Sequence, residues 1–268
     1  MRFPATSDDW ARLAAAVDPV ARAAAAALLN VYDAPALDVA AKPDGSPVTA
    51  ADLAAERALL AGLEGLVRGV GVVSEEGGGS GVGGRGPERY WLVDPLDGTR
   101  EFLAHNGEFC VCIALVEDGA PVFGLIHAPT TSVSYYAWRG SGAAFAKPAT
   151  DAPARRLPPR RPATARTPGL RVGVSRSHRD AATEAYLAKL DAPRAVPMGS
   201  ALKFCAIVAD RLDVYVRPGR TMHWDTAAGQ CLLEAVGCSV TDLATGRPLR
   251  YVGPGRTNPG FLAGPWPA

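Results

Sequence analysis

The order of helical and strand-like segments predicts an α/β protein, with an α+β lobe over residues 1–150 followed by an α/β lobe over residues 151–268. Three observations carry this reading. The chain has 268 residues, close to twice a usual domain length of about 150. Its composition, 48% hydrophobic and 21% charged, is that of a folded globule and excludes a disordered or charge-rich scaffold. The hydrophobic period switches from helix to strand near Val70, and beyond a Pro/Arg-rich stretch it alternates between the two.

Residues 10–32 and 49–67 have helical spacing, the second opened by the capping pattern Thr49-x-x-Asp52. Strands are expected at Val70–Ser74, Arg89–Asp94, Phe109–Glu117, Ala120–His127 and Val133–Trp138, with Asp118-Gly119 as a hairpin turn. Phe109 to Val116 is apolar on both faces, the pattern of a strand covered by helices. Lys147 to Gly169 has no convincing period, and the lobe boundary is placed there. The second lobe reads as strand Leu170–Ser175, helix Ala181–Leu190, strand Ala195–Met198 and helix Ala201–Arg211. Strand Asp213–Val216, helix Thr226–Val236 and strand Ser239–Thr241 complete it.

Charge and cysteine usage exclude several classes. Lys+Arg 28 against Asp+Glu 27 leaves +1, which provides no field for a polyanion. Arg155, Arg156, Arg160, Arg161, Arg166, Arg171, Arg176 and Arg179 follow one another with no acid between the first and the last, and the interleaved prolines suggest a solvated loop or a surface that steers an anionic substrate. It lacks interleaved aromatics, so no nucleic-acid partner is expected. Five cysteines with no C-x-x-C pair read as reduced, buried thiols of a cytoplasmic protein. Cys110 and Cys112 stand two apart in a strand-like run and are badly placed for zinc. The Ala-rich stretch Val20–Val31 carries Arg22 and follows Asp8, Asp9 and Asp18, so no signal peptide and no integral membrane segment are expected. Gly 29 and Pro 23 point to many turns and a backbone-rich site.

Carboxylates gather at three element ends: Ser74-Glu75-Glu76, Asp94-Pro95-Leu96-Asp97-Gly98-Thr99 and Trp224-Asp225-Thr226-Ala227-Ala228-Gly229. Each has a plain reading alone: strand-end charges, a proline-stiffened turn, and a helix N-cap. Together they offer an all-oxygen shell for a hard divalent cation, with Asp94, Asp97 and the Leu96 carbonyl converging across the turn. The absence of His and Cys from these segments argues against zinc. The backbone N–H groups of Gly98 and Thr99, at a helix start, suit a phosphate.

These three segments resemble the inositol monophosphatase superfamily. Arg100-Glu101-Phe102, Asn106-Gly107-Glu108-Phe109, Ser175-Arg176-Ser177-His178, Gly199-Ser200-Ala201-Leu202-Lys203-Phe204-Cys205 and Asn258-Pro259-Gly260-Phe261 resemble its bacterial 3'(2'),5'-bisphosphate nucleotidase branch. The similarity runs from about Lys42 to Phe261, with Ala201 where related enzymes often carry a second serine. The resemblance implies a layered αβαβα sugar-phosphatase fold. It also implies hydrolysis of 3'-phosphoadenosine 5'-phosphate to AMP by a metal-activated water, in sulfur assimilation or nucleotide recycling. By the same resemblance, Glu75, Asp94, Leu96, Asp97 and Asp225 would hold two or three Mg²⁺ ions. Asp52, Glu75 and Thr99 would be catalytic, and Leu96, Asp97, Gly98, Thr99 and Asp225 would meet the substrate. His178, Ser200, Lys203 and Arg217 would contact its nucleoside 5'-phosphate part. Read singly, Lys203 could equally be a surface lysine, Arg217 a rim charge and His178 a loop residue. An inositol or sugar phosphatase is the alternative activity. The partner would be a small-molecule bisphosphate nucleotide and the protein a monomer or homodimer. Peripheral association with the inner membrane has no anchor visible in the sequence.

Overall fold

A computed structural model describes residues 1–34, 39–41, 47–77, 88–149, 152–252 and 257–266. The first part of the chain runs α1 (Ser7–Tyr32), β1 (Val39–Ala41), β2 (Pro47–Thr49), α2 (Ala50–Leu63), β3 (Gly71–Ser74), β4 (Arg89–Asp97) and α3 (Thr99–Leu103). It continues with β5 (Cys110–Glu117), β6 (Ala120–Ala128), β7 (Val133–Trp138), β8 (Ala144–Lys147) and β9 (Arg155–Leu157). These strands form a seven-stranded sheet in the order β3-β4-β5-β6-β7-β8-β9, parallel between β3 and β4 and antiparallel elsewhere. β9 extends this sheet beyond residue 150, into the stretch that carried no period in the sequence.

The second part runs β10 (Arg171–Ser175), α4 (Ala181–Leu187), β11 (Arg194–Met198), α5 (Leu202–Val208), β12 (Val214–Arg217) and β13 (Thr221–Met222). It ends with α6 (Ala227–Glu234), β14 (Ser239–Asp242), β15 (Thr257–Asn258) and β16 (Phe261–Gly264). Five of these strands pair in the order β11-β10-β12-β16-β14.

Strand alternation explains the layering. Along β4 and β5, Trp91, Val93, Val111, Ile113 and Leu115 join a core with α1 and α2. The intervening Tyr90, Leu92, Cys112, Ala114 and Val116 face α5 and α6 instead. The far side of α5 and α6 meets Tyr215, Phe261 and Ala263 of the smaller sheet, so one core joins both sheets. Val172, Val174, Val214 and Val216 bury the opposite face of that sheet under Leu187 and Leu190, at and just after α4. The result is the expected αβαβα stack, and the doubly apolar strands are its sheet covered on both faces.

α1 begins earlier than its apolar period suggests, at a capping box in which Thr6 and Asp9 satisfy each other's backbone N–H. Its 26 residues reach a hydropathy of 1.3 over 18 positions, long and apolar enough by composition to cross a membrane. Leu13, Val17, Ala21, Ala24 and Leu28 instead pack into the protein core.

Asp18, also buried in α1, meets Arg22 and Lys147 at 3.0 Å each and accepts from Ser134, whose hydroxyl lies 2.8 Å from His127 Nδ1. Burial opposes ionisation of Asp18, but the bonds from Ser134, Arg22 and Lys147 outweigh it and hold its pKa below the usual 3.8. The ionised form therefore contributes stability above pH 3.8, and loses it as pH falls through the lower folded value. Asp18→Asn is expected to cost about 2 kcal/mol near pH 7 by removing the charge that Arg22 and Lys147 share, and progressively less in melts below pH 4. A cost that stays constant with pH would refute the ionic account.

The basic run is also explained by tertiary partners. Arg160 and Arg171 pair with Asp210 and Asp213, Arg176 with Glu108, and Arg179 with Glu184. Acids absent from the local sequence are supplied by other elements, so these four arginines are structural rather than a free steering surface.

Candidate active site

The strand register brings the acidic residues together. β3 and β4 run parallel with Ser74 opposite Val93, and the Glu75 N–H reaches the Val93 carbonyl at 3.2 Å. Glu75 therefore leaves β3 level with Asp94. On the other side of β4, Asp94 pairs with Cys112 and Asp97 with Cys110. Four residues of β4, Asp94 to Asp97, thus face three of β5, Cys110 to Cys112, a bulge that accommodates Pro95 inside the strand and turns both aspartates to one side. Asp94 is 1% exposed, its carboxylate fixed by the Leu96 N–H at 3.0 Å. Asp225 precedes α6 and accepts the Met222 N–H at 2.8 Å. Carboxylate oxygens of Asp94, Asp97 and Asp225 lie within 4.8 Å of one another.

None of these three carboxylates has a salt-bridge partner among the described residues. Burial, then the charges of Glu75, Asp97 and Asp225, pushes Asp94 well above the usual carboxylate range. Burial and Asp97 do the same to Asp225. Burial raises Asp97 to about 6, although Lys203 and the Ala201 N–H pull it down. A cluster of acids at close range, all oxygen donors and lacking a cationic partner, fits a hard divalent cation.

Gly98 caps α3 with φ +97, and a Cβ there would meet the Glu108 carbonyl at 3.0 Å and Ser200 Cβ at 3.1 Å. Only glycine satisfies both the left-handed backbone and this close approach. The Thr99 hydroxyl faces the Leu96 carbonyl at 3.4 Å.

A second set of bonds ties the acidic turn to the smaller sheet. Asp97 accepts the Ala201 N–H, and Glu101 accepts the Ser177 hydroxyl. Glu108 takes Arg176 through two bonds of 2.6 and 2.7 Å and also accepts the Gly199 N–H at 2.7 Å. Ser200 adopts φ +50, and its carbonyl receives Lys203 Nζ at 2.6 Å. Lys203 also donates to Met198 O at 2.9 Å and stands 4.8 Å above the Tyr215 ring. Burial draws its ammonium down to about 8, against the pull of Asp97 and Glu101. With two of three donors engaged by carbonyls, one N–H remains for a ligand. Arg217 bonds the His178 carbonyl at 3.1 Å, while its buried Nε has no protein partner.

The acidic turn and the smaller sheet enclose a cavity of about 640 Å³ between them. Glu75, Asp94, Leu96, Asp97, Gly98, Thr99, His178, Ser200, Lys203, Arg217 and Asp225 line it. The profile of the inositol monophosphatase family matches residues 9–261. The chain belongs to the inositol monophosphatase family. The 3'(2'),5'-bisphosphate nucleotidase CysQ of Escherichia coli O157:H7 is 41% identical over 245 residues, covering 90% of this chain and 95% of that protein. The same-named protein of Buchnera aphidicola is 34% identical, with 97% of both chains covered. The crystal structure of CysQ from Bacteroides thetaiotaomicron superposes with a TM-score of 0.79 at 34% identity, over 95% and 97% of the two chains. The Thermotoga maritima IMPase shares the fold, with a TM-score of 0.76 at 24% identity, over 95% and 92%.

Within this family member, every expected site residue but one lines the cavity. The exception, Asp52, is buried at 1% exposure in the first turn of α2. The cavity also takes in Arg100, Glu101, Tyr215 and Arg220, which the sequence reading did not select. Arg100 and Glu101 stand inside a quoted motif and Arg220 three residues after Arg217, so proximity to assigned residues was the signal that could have found them. Tyr215 carried none, because an aromatic in a strand reads first as core.

Proposed function

We infer that this family member is a metal-dependent phosphatase acting on a 3'(2'),5'-bisphosphate nucleotide, with 3'-phosphoadenosine 5'-phosphate hydrolysed to AMP and phosphate. One observation carries this reading: the acidic cluster and the basic groups Lys203, Arg217 and Arg220 line a single cavity. That cavity is of a size suited to a nucleotide. The identity to relatives bearing that name supports it.

Glu75, Asp94, Asp97 and Asp225, with the Leu96 carbonyl, are proposed to hold two or three Mg²⁺ ions. Bound there, the cation supplies Lewis acidity and offsets charge on the phosphoryl oxygens. The rest falls to protein groups. Glu75 and the Thr99 hydroxyl, with Asp52 behind it, are assigned to orient the attacking water and accept its proton. The Gly98 and Thr99 N–H groups are assigned to the scissile phosphate, where preorganised donors stabilise the developing charge. Lys203, Arg217, His178 and Ser200 are assigned to the second phosphate and its nucleoside. The buried free cysteines support a reducing, cytoplasmic setting.

The deciding assay is phosphate release from 3'-phosphoadenosine 5'-phosphate and from inositol 1-phosphate, with Mg²⁺ and with EDTA. Preference for the nucleotide and loss of turnover under EDTA are expected; chelator-insensitive release, or preference for inositol 1-phosphate, would overturn the reading. Lys203→Ala is expected to lower kcat/KM for the nucleotide by about 10²-fold, the scale of a lost charge-assisted hydrogen bond. The change toward inositol 1-phosphate should be much smaller. Equal losses on both substrates would assign Lys203 to the reaction centre rather than the second phosphate.

A further inference from the structure

The bulge that turns Asp94 and Asp97 to one side also sets two thiols beneath them. Asp97 pairs across the ladder with Cys110, and Asp94 with Cys112. Cys110 and Cys112 are two apart on β5, so both project to the same face as the aspartates. Their sulfurs are 3.8 Å apart, and Cys110 Sγ lies 3.7 Å from Asp97 Oδ2. One donor atom from each of the three residues falls within 4.8 Å of the others. An ion bonded tetrahedrally to sulfur at about 2.3 Å sets two sulfurs roughly 3.8 Å apart, and a sulfur and a carboxylate oxygen roughly 3.5 Å apart. The two sulfurs already stand at this spacing, Cys110 and Asp97 are close to theirs, and Cys112 and Asp97 lie within 4.8 Å of each other. Both thiols are buried, and Asp97 lines the cavity, so a cation entering there reaches the cluster through Asp97.

The spacing of the cysteines alone argues against zinc; Asp97, thirteen residues earlier, supplies the missing donor across the strand pair. We propose that Asp97, Cys110 and Cys112 form a binding site for a soft divalent cation of the Zn²⁺ or Cd²⁺ class, and that occupying it inhibits the enzyme. Binding releases both thiol protons to solvent and changes no oxidation state. Thiolate donors select such a cation over Mg²⁺, which prefers oxygen. Inhibition follows because Asp97 is shared: a carboxylate oxygen held between the two sulfurs is withdrawn from the Asp94–Asp97–Asp225 cluster. The inhibitory half of the proposal rests on the metal-dependent reading above, whereas the binding half does not.

The test titrates Cd²⁺ into the reduced, full-length protein in saturating Mg²⁺ and follows thiolate-to-cadmium charge-transfer absorbance without substrate. One equivalent should produce the absorbance of two thiolates. The band should vanish in C110S/C112S, fall by about half in either single variant, and persist in C205S/C231S/C238S. The single variants decide the point if the double variant does not fold. In turnover assays, the same Cd²⁺ should slow the wild type about tenfold or more and C110S/C112S less than about twofold, with EDTA followed by Mg²⁺ restoring the rate. No band in the wild type, or a band that keeps its full height in both single variants, overturns the site. A normal band with unslowed turnover, or equal inhibition of wild type and C110S/C112S, overturns the sharing of Asp97. A protein that binds Cd²⁺ as described but hydrolyses no bisphosphate nucleotide refutes the functional reading alone.

Discussion

Asp97→Asn is expected to reduce phosphate release about 10³-fold or more while raising the melting temperature of the metal-free protein. The two effects have one origin. The turnover loss is the scale of several kcal/mol of charge stabilisation supplied through a metal ligand. The stability gain follows from the carboxyl itself. Burial lifts its pKa from 3.8 to about 6, so keeping it ionised in the folded state costs about 3 kcal/mol at neutral pH. Asparagine keeps an oxygen for the Ala201 N–H and removes that cost. Lys203 loses the Asp97 charge at the same time, which returns part of the gain, so a net of about 1–2 kcal/mol is expected.

The sign fixes the pH window. The cost is absent below pH 3.8, grows as pH rises through about 6, and is complete above. Melts with EDTA should therefore separate Asp97→Asn from the wild type at pH 7.5 and bring them together toward pH 4. Added Mg²⁺ should stabilise the wild type at pH 7.5 and the variant much less. A variant less stable than the wild type under EDTA at pH 7.5 would show that the carboxylate is part of the framework rather than a strained ligand.

The acidic turn was legible in the sequence because its chemistry is contiguous. Asp94, Leu96, Asp97, Gly98 and Thr99 fall within six residues; the proline reads locally as a turn after a strand ending at Asp94, whereas pairing with β5 carries the strand on to Asp97 and makes the turn a bulge. Strand alternation likewise exposed the layering, since a segment apolar on both faces must be covered on both. Glu108 and Arg176 were visible only as parts of motifs. Their pairing, and the bond from Gly199 that completes it, joins residues far apart along the chain, and no local period encodes such contacts. The same limit applies to the basic run, whose partners Asp210 and Asp213 lie beyond the next two strands and helices. β16 escaped notice because its four residues are too short to show a period, although it is hydrogen-bonded between β12 and β14.

Gly124→Val is expected to impair both folding and Mg²⁺ binding, because β6 and α6 touch where residue 124 has no side chain. A Cβ there would stand 2.5 Å from the Ala228 carbonyl oxygen, 3.0 Å from Ala228 Cα and 2.9 Å from Cys231 Cβ. Two of these atoms are helix backbone, so relief requires moving α6 as a body rather than rotating a side chain. Overpacking of this kind costs about 1–3 kcal/mol, and the two further methyl groups of valine bring the expected loss to the upper end or beyond. The displacement does not stay in the core. Asp225 stands two residues before α6, so lifting the helix moves that carboxylate away from Asp94 and Asp97. A misplacement of about 1 Å at a reacting centre costs on the order of 10²-fold in rate. The Gly124→Ala variant, less disruptive, should therefore show a raised Mg²⁺ midpoint and a reduced kcat even at temperatures where it remains folded. Gly140→Ala is the control, since a Cβ at residue 140 meets nothing within 4 Å and only its φ of +81 is strained. It should lower the melting temperature slightly and leave the Mg²⁺ midpoint alone. If Gly124→Ala also lowers only the melting temperature, α6 and the Asp225 carboxylate proposed to hold the cation are not mechanically coupled to β6.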